Sequence, residues 1–481
     1  MTMKNLLLVY LLLPGLFLSF RSHGQDKWDL RRCVEYALAN NISIKQADVQ
    51  ARLSKLTLDQ SRLSQIPTLG LGIGAGVNSG RRQNPTDFSL STNTFFANNY
   101  SLQASVNVFN FFSLRNAIEA NRYSWQAALA NSEKLKNDIS LNVANAYLQV
   151  LLSTEQAEAA RLQLKLSQNS LEITRKQVNA GTLPELNAAE LESQTAQDSA
   201  NVITAQGTII QNTLTLKAYM GLDAGAPFEV DTPPVEQIPI EKVADLQPEA
   251  VYSMALTHQP LQKMDALLVQ SAQKNVQANK AAQYPTFSLG GSLGSNYVGN
   301  GYEPILSTAR PIVDTTSARI SGTTTRIVSD GVAFDMRKQP YFKQLDQNFS
   351  QYFGVNINIP ILNGGTLHTN YAKSKLNLRN QELQRDQDNL TLKNNIYTAY
   401  TAAITALQKF EANKITAAAT EKSFDYAQKR YNIGILNTID LLTNQNNFFK
   451  AKIDLLYSQF DYVFKMKVLE FYKGLGIRLT K

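Results

Sequence analysis

The chain has 481 residues, 18% of them charged, with 47 basic and 39 acidic side chains and a single cysteine. A net charge of +8 over that length is a weak bias, and no basic run with interleaved aromatics occurs, so nothing points to nucleic acid. One cysteine excludes an internal disulfide, and stability has to come from packing or assembly.

Residues 1–24 have the pattern of a secretory signal peptide: Lys4, an apolar run from Leu6 to Phe20, then Ser22 and Gly24 at the small-residue cleavage positions. The run is shorter than the roughly 20 residues a spanning helix needs. Cys33 lies eight residues past the expected mature start at Gln25, so the exported protein is expected to be unlipidated. No later stretch resembles a spanning helix, so any membrane crossing requires a closed barrel.

From Leu30 the apolar residues Leu30, Cys33, Val34, Ala37 and Leu38 mark a helix face, and the helical pattern runs to about Gln65 before Pro67 stops it. The period then changes to two. Leu69, Leu71, Ile73, Ala75 and Val77 alternate with small or polar residues, a strand over about 68–78, and Tyr100, Leu102, Ala104, Val106 and Val108 give a second over about 99–109. A helical hairpin over 111–220 follows, free of Gly and Pro from Phe111 to Ala180, with Leu135, Ile139, Val143, Ala146 and Val150 as a coiled-coil-like seam and a turn at Gly181.

The chain then repeats itself. "QIPTLGLGIG" from Gln65 and "QYPTFSLGGS" from Gln283 are 218 residues apart, as are "CVEYALANN" from Cys33 and "VYSMALTHQ" from Val251. "VNAGTL" from Val178 and "YNIGIL" from Tyr431 are 253 apart, so the second copy carries an insertion of 35 residues. The expected domains are a first repeat over 25–224, a Pro-rich linker over 225–247, a second repeat over 248–476 and a tail over 477–481. The second repeat holds strands over about 286–298 and 350–360 and a helical hairpin over 366–473 with its turn at Gly434 and a seam through Leu392, Ile396, Ala399 and Ala403. The insertion predicts a long surface loop from about Gly299 to Phe349, in which a tag near Ser329 should be reachable from outside the cell.

Alternating strands of about ten residues are long enough to cross a bilayer. Four cannot close, since the smallest membrane barrels have about eight. A cyclic homotrimer would supply twelve. Helices reaching roughly 100 Å cannot bury a seam inside a globular domain and must pack lengthwise on one another.

The duplicated unit, the "ALANN" opening, the Gln-x-Pro junctions at Pro67 and Pro285, and "RYNIGILNTIDLLTNQNNF" from Arg430 together resemble the TolC-like outer-membrane efflux proteins. The resemblance covers Trp28 to Gly476. It implies an all-α protein with a membrane β-barrel part: a homotrimer whose 12-stranded outer-membrane barrel continues as a periplasmic α-helical barrel. It also implies contact with outer-membrane lipid, a periplasmic adaptor and an inner-membrane pump of RND or ABC type. The function implied is a tunnel exporting small toxic molecules or drugs. The alternatives are a duct for type I protein or peptide secretion and, in another class, a non-conducting surface receptor or adhesin.

The same resemblance carries gate roles onto Tyr431 and Asp440, with three Asp440 carboxylates around one pore repelling one another and favouring a bound cation. Thr443 and Leu436 stand where some relatives have an acid and a base, and the first copy offers Asn187 opposite Asp440. The bland alternative is that Asp440 only caps its helix. The turns themselves, Gly181, Thr182, Leu183, Gly434 and Ile435, are the expected adaptor contacts.

No enzyme is expected. Beyond the leader only His258 and His368 remain, and His258 suits a solvated helix end. "GLGIGAG" from Gly70 alternates strictly and is not a phosphate loop, no nucleophile elbow occurs, and seven Met with three His give no support for soft-metal binding. No cofactor or metal is expected.

Overall fold

The computed structural model describes residues 27–83, 90–231, 241, 246–319, 321–324 and 326–474. The expected leader, the tail 477–481 and most of the Pro-rich linker lie outside them.

Helix boundaries recur between the two copies. Helices α1 (Leu30–Asn40) and α2 (Ile42–Leu63) have 11 and 22 residues, as do α5 (Pro248–His258) and α6 (Pro260–Ala281). The long helices α3 (Ser113–Asn179) and α8 (Thr366–Asn432) have 67 each, and their partners α4 (Glu185–Met220) and α9 (Thr438–Lys473) have 36 each. The stretch expected to run as one helix to Gln65 is two. Asn41 breaks it: its side chain accepts from Ser43 N–H at 2.9 Å and donates to the Tyr219 carbonyl at 2.8 Å, which fixes an extended backbone there. In the second copy Pro260 stands one residue after the break, at Gln259.

The chain divides into two compact units. One comprises Met1–Lys55, Tyr123–Val269 and Arg379–Lys481, the other Leu56–Arg122 and Gln270–Leu378.

The second unit holds a four-stranded antiparallel sheet. Its order is β1 (Thr68–Gln83), β2 (Leu90–Phe109), β3 (Thr286–Val298) and β6 (Ser350–Asn358). Strands β1 and β2 run well past the expected 78 and start well before the expected 99, and β6 stops at Asn358 because Pro360 follows. The register sets Leu69 opposite Ala104, Leu71 opposite Leu102 and Ile73 opposite Tyr100, all on one face, with Gly70–Gln103, Gly72–Ser101 and Gly74–Asn99 on the other. The apolar face is bare: Leu69 is 71% exposed and Phe353 77%. Val108 makes a bulge where β2 meets β3.

Residues 299–349 are not a structureless loop. They fold into an antiparallel pair, β4 (Tyr302–Arg319) and β5 (Arg326–Lys338), followed by the short helix α7 (Tyr341–Gln347). Sequence alternation there is broken by Pro304 and Pro311, which hid the strands. Glu303 accepts from Arg337 Nε at 2.6 Å and Lys343 Nζ at 2.5 Å, joining hairpin to helix. The buried Gln344 amide pairs with the Val298 backbone, its Oε1 accepting at 3.0 Å and its Nε2 donating at 3.1 Å. Ser329 of β5 is the backbone partner of Asp314 in β4, and the hairpin turns at 321–324.

In the first unit the helices bury two matching cores. One gathers Cys33 and Ala37 of α1, Ile139, Val143 and Val150 of α3 and Leu216 of α4. The other gathers Val251 and Ala255 of α5, Leu392, Ile396 and Ala403 of α8 and Leu469 of α9, the same positions one repeat later. Burial pushes the Cys33 thiol up to about 12, so it behaves as a small core hydrophobe. The first linker residues dock here: Trp28 N–H donates to the Glu229 carbonyl at 2.9 Å, and the Tyr147 hydroxyl donates to the Asp231 carbonyl at 2.6 Å. His258 ends α5 exposed, its Nδ1 3.0 Å from the Met254 carbonyl oxygen.

Candidate functional site at the interhelical turns

Helices α3 and α8 end in the same way. Gly181 and Gly434 take φ of 73° and 77°, the left-handed region that a side chain disfavours. The N–H of Thr182 donates to the Gln177 carbonyl and that of Gly181 to Val178, while Ile435 donates to Arg430 and Gly434 to Tyr431. These paired bonds satisfy the last carbonyls of each helix and reverse the chain.

The two returning helices start differently. Pro184 begins α4 without a side-chain cap, whereas Asn437 caps α9 by accepting from the Asp440 N–H at 2.8 Å. Asp440 is therefore not the cap. Its exposed carboxylate sits in the first turn, where the helix dipole favours an anion, and its carbonyl accepts from Asn444 Nδ2 at 2.8 Å. Thr443 is exposed, with its hydroxyl bonded back to the Ile439 carbonyl at 2.8 Å. Asn187 is half-buried and occupies in α4 the place Asp440 has in α9.

Tyr431 is buried. It packs with Phe424, Ala427 and Leu441, and Leu436 lies partly buried against the same cluster. Its hydroxyl shares a hydrogen bond with the buried Thr174 hydroxyl of α3 at 2.8 Å, which ties the second hairpin to the first. Arg175 and Glu192 form an ion pair between α3 and α4. Around the turns, Leu186, Ile433, Ile435 and Ile439 are exposed, each more than 60% accessible, while Leu183 is half-buried. Pro67 and Pro285 belong elsewhere: each immediately precedes a strand, after a last helical turn closed by Ile66 N–H to Leu63 or Tyr284 N–H to Ala281.

A polar network between α3, α4 and α9 was not visible in the sequence. The Asp198 carboxylate, 1% exposed, accepts from Ser167 Oγ at 2.5 Å and from Gln163 Nε2 and Gln194 Nε2 at 2.9 Å each. Gln445 of α9 donates to Ser167 Oγ at 2.8 Å. Burial pushes the Asp198 carboxyl up, and the hydrogen bonds from Ser167 and Gln194 draw it partly back. The available signal was a lone acid in the α4 seam, seven residues after Leu191 and four before Val202.

The turn of α3 from β2 was also missed. Phe111 and Phe112 take φ of 51° and 65°, and Gly364 and Gly365 hold the matching places in the second copy with 64° and 75°. The rings of Phe109, Phe111 and Tyr284 pack together, the first two 4.9 Å apart and the last two 5.0 Å.

Residues 33–222 and 251–463 match the family model "Outer membrane efflux protein". "Toxin and drug export protein A" of Aggregatibacter actinomycetemcomitans is 19% identical over 90% of this chain and 83% of its own length. "Outer membrane protein TolC" of Escherichia coli strain K12 is 21% identical over 96% and 84%. A crystal structure of CusC superposes with a TM-score of 0.74 at 17% identity, covering 93% of this chain and 92% of that one. These likenesses span both copies of the repeat.

Proposed function

The chain belongs to the outer membrane efflux protein family, and we propose that it is the outer-membrane tunnel of a tripartite efflux system, exporting small toxic molecules or drugs under the drive of a separate inner-membrane pump. The open sheet carries this reading. Among the described strands β1 and β6 each pair on one side only, and one face is apolar and uncovered. Bare strand edges and a bare apolar face are not tolerated singly in a bilayer, and three copies of four strands close into a barrel of twelve.

The turn residues then take roles in opening. Tyr431, held by Thr174 and its apolar cluster, keeps the second hairpin against the first. Asp440, exposed and free of an intrachain ion pair among the described salt bridges, would form a ring of three carboxylates about the threefold axis and set cation selectivity. The exposed Ile433, Ile435 and Ile439 beside Gly434, with Leu186 beyond Gly181, supply the apolar tip that an adaptor helix hairpin would cover.

A second reading, a duct for secreted protein, is kept because one relative's name joins toxin with drug export. Deleting the gene in its host and measuring both drug susceptibility and the secreted proteome separates the two. Recovery of a trimer that passes no ions across a planar bilayer at any voltage would overturn both in favour of a surface receptor.

A further inference from the structure

The first repeat fills the space between α2 and α3 with apolar side chains, Ile44 buried and Leu135 packed beside it. At the same places in the second repeat stand Gln262 of α6 and Asp388 of α8, and Ala47 is matched by Asp265. Polar atoms have replaced a core, and among the described residues several of them have no partner. Gln262 is 7% exposed, and neither its amide nitrogen nor its amide oxygen has a partner among the described residues. Asp265 is 4% exposed with Oδ2 unpartnered, and its carboxyl faces that of Asp388 within hydrogen-bonding reach. Gln262 and Asp388 line a partly enclosed cavity of about 190 Å³, which Asn137, Asp138 and Lys134 of α3 complete with Asn395 of α8, and Asp265 meets its edge through Asp388 without lining it.

We propose that this cavity binds a hydrated divalent cation of the calcium or magnesium class, held by the carboxylates of Asp265 and Asp388 and the amide oxygen of Gln262.

The charge balance calls for a cation. Lys134 is engaged by Asp138 at 2.6 Å and Arg385 by Asp386 at 2.8 Å, so the nearby positive groups are already paired. Among the described residues Asp388 receives only the neutral Gln384 amide, at 3.1 Å. Two carboxylates facing each other, with Arg385 as their one nearby opposing charge and that group already paired to Asp386, are unfavourable in a largely buried site, and an unpartnered buried amide adds to the penalty. One hard cation removes both, because all three donors are oxygens and none is sulfur or imidazole. A cavity of this volume also has room for the waters that complete a shell of six to eight ligands. With only two carboxylates the affinity should be modest, a dissociation constant on the order of 10⁻⁴ to 10⁻³ M. The site shares no residue with the interhelical turns, so it stands whether or not Asp440 forms a ring.

The test uses the full-length protein in detergent at one fixed pH, titrated with calcium chloride and with magnesium chloride in a calorimeter and in thermal unfolding. One saturable site per chain is expected, with the unfolding temperature rising as it fills. Asp388→Asn should weaken binding at least tenfold, and Asp440→Asn should leave it unchanged. The combination Gln262→Ile, Asp265→Ala and Asp388→Leu imports the residues of the first repeat. It should fold, and its unfolding temperature should no longer respond to either ion. Should that combination misfold, the Asp388→Asn titration alone still decides. No saturable binding up to about 10 mM, or binding kept at full strength in Asp388→Asn, overturns the proposal.

Discussion

The two repeats share helix lengths to the residue and differ in what fills three corresponding places. At the turn from strand to long helix the first has Phe111 and Phe112 where the second has Gly364 and Gly365. Between the short and long helices the first has Ile44 and Leu135 where the second has Gln262 and Asp388. At the interhelical turn the first has Val178 and Asn187 where the second has Tyr431 and Asp440. The backbone of the unit tolerates either set, so the shared positions hold the architecture and the divergent ones are free to carry function.

If the shared positions are structural, equivalent core residues should matter equally. Leu216 and Leu469 are fully buried at matching places in separate clusters. Leu216→Ala and Leu469→Ala should each destabilise by about 2–5 kcal/mol, and the double variant should be additive. Denaturant titration of the assembled protein measures this, and a cost confined to one repeat would break the equivalence.

The left-handed pair divides the two repeats further. An added Cβ at Gly364 or Gly365 meets nothing within 4 Å, so any cost there is conformational. Each Gly→Val change should cost about 1–2 kcal/mol. The reverse double change, Phe111→Gly with Phe112→Gly, relieves similar strain but loses ring contacts of about 0.5–1.5 kcal/mol each, so it should be close to neutral. A large loss from the reverse change would mean that the phenylalanines are needed at the sheet's end and are not merely tolerated.

Tyr431→Phe tests the latch. It removes the bond to Thr174 while keeping the apolar packing, at a cost of about 1 kcal/mol, and it should raise the open probability of single channels. An unchanged open probability would leave Tyr431 a packing residue like Val178.

Much of this was legible in the sequence because it depends on period and on special backbone residues. Alternation around Leu69 to Val77 gave the strand, and the absence of Gly and Pro gave the long helices. Gly181 and Gly434 gave both turns, since only glycine enters the left-handed region freely. The β4–β5 hairpin escaped because prolines interrupt its alternation, and the buried pairs escaped because polarity along a helix does not tell which face it lies on. Asp198, Gln262 and Asp388 resemble solvated residues until α4, α6 and α8 are packed. Tyr431 and Asp440 were found by resemblance alone, and only the packed turns show that one is buried while the other points to solvent.

The smallest expected effect concerns Asp198, which has an apolar-seam setting but a charged side chain. Burial raises its carboxyl above its ordinary value, so in the window between the two the folded protein holds a proton that the unfolded chain has released. Stability therefore falls as pH rises through the window, and above it the buried charge is a standing penalty. Asp198→Asn removes the titration and can keep the geometry. The asparagine oxygen can accept from Gln163 and Gln194, and its nitrogen can donate to Ser167 Oγ with the direction of that bond reversed. The variant should melt higher than the parent at neutral pH, and the gap should close as pH is lowered into the ordinary carboxylate range. A gap that stays constant with pH would assign the change to packing instead. A variant that melts lower at every pH would show that the charge-assisted bonds outweigh the desolvation they offset.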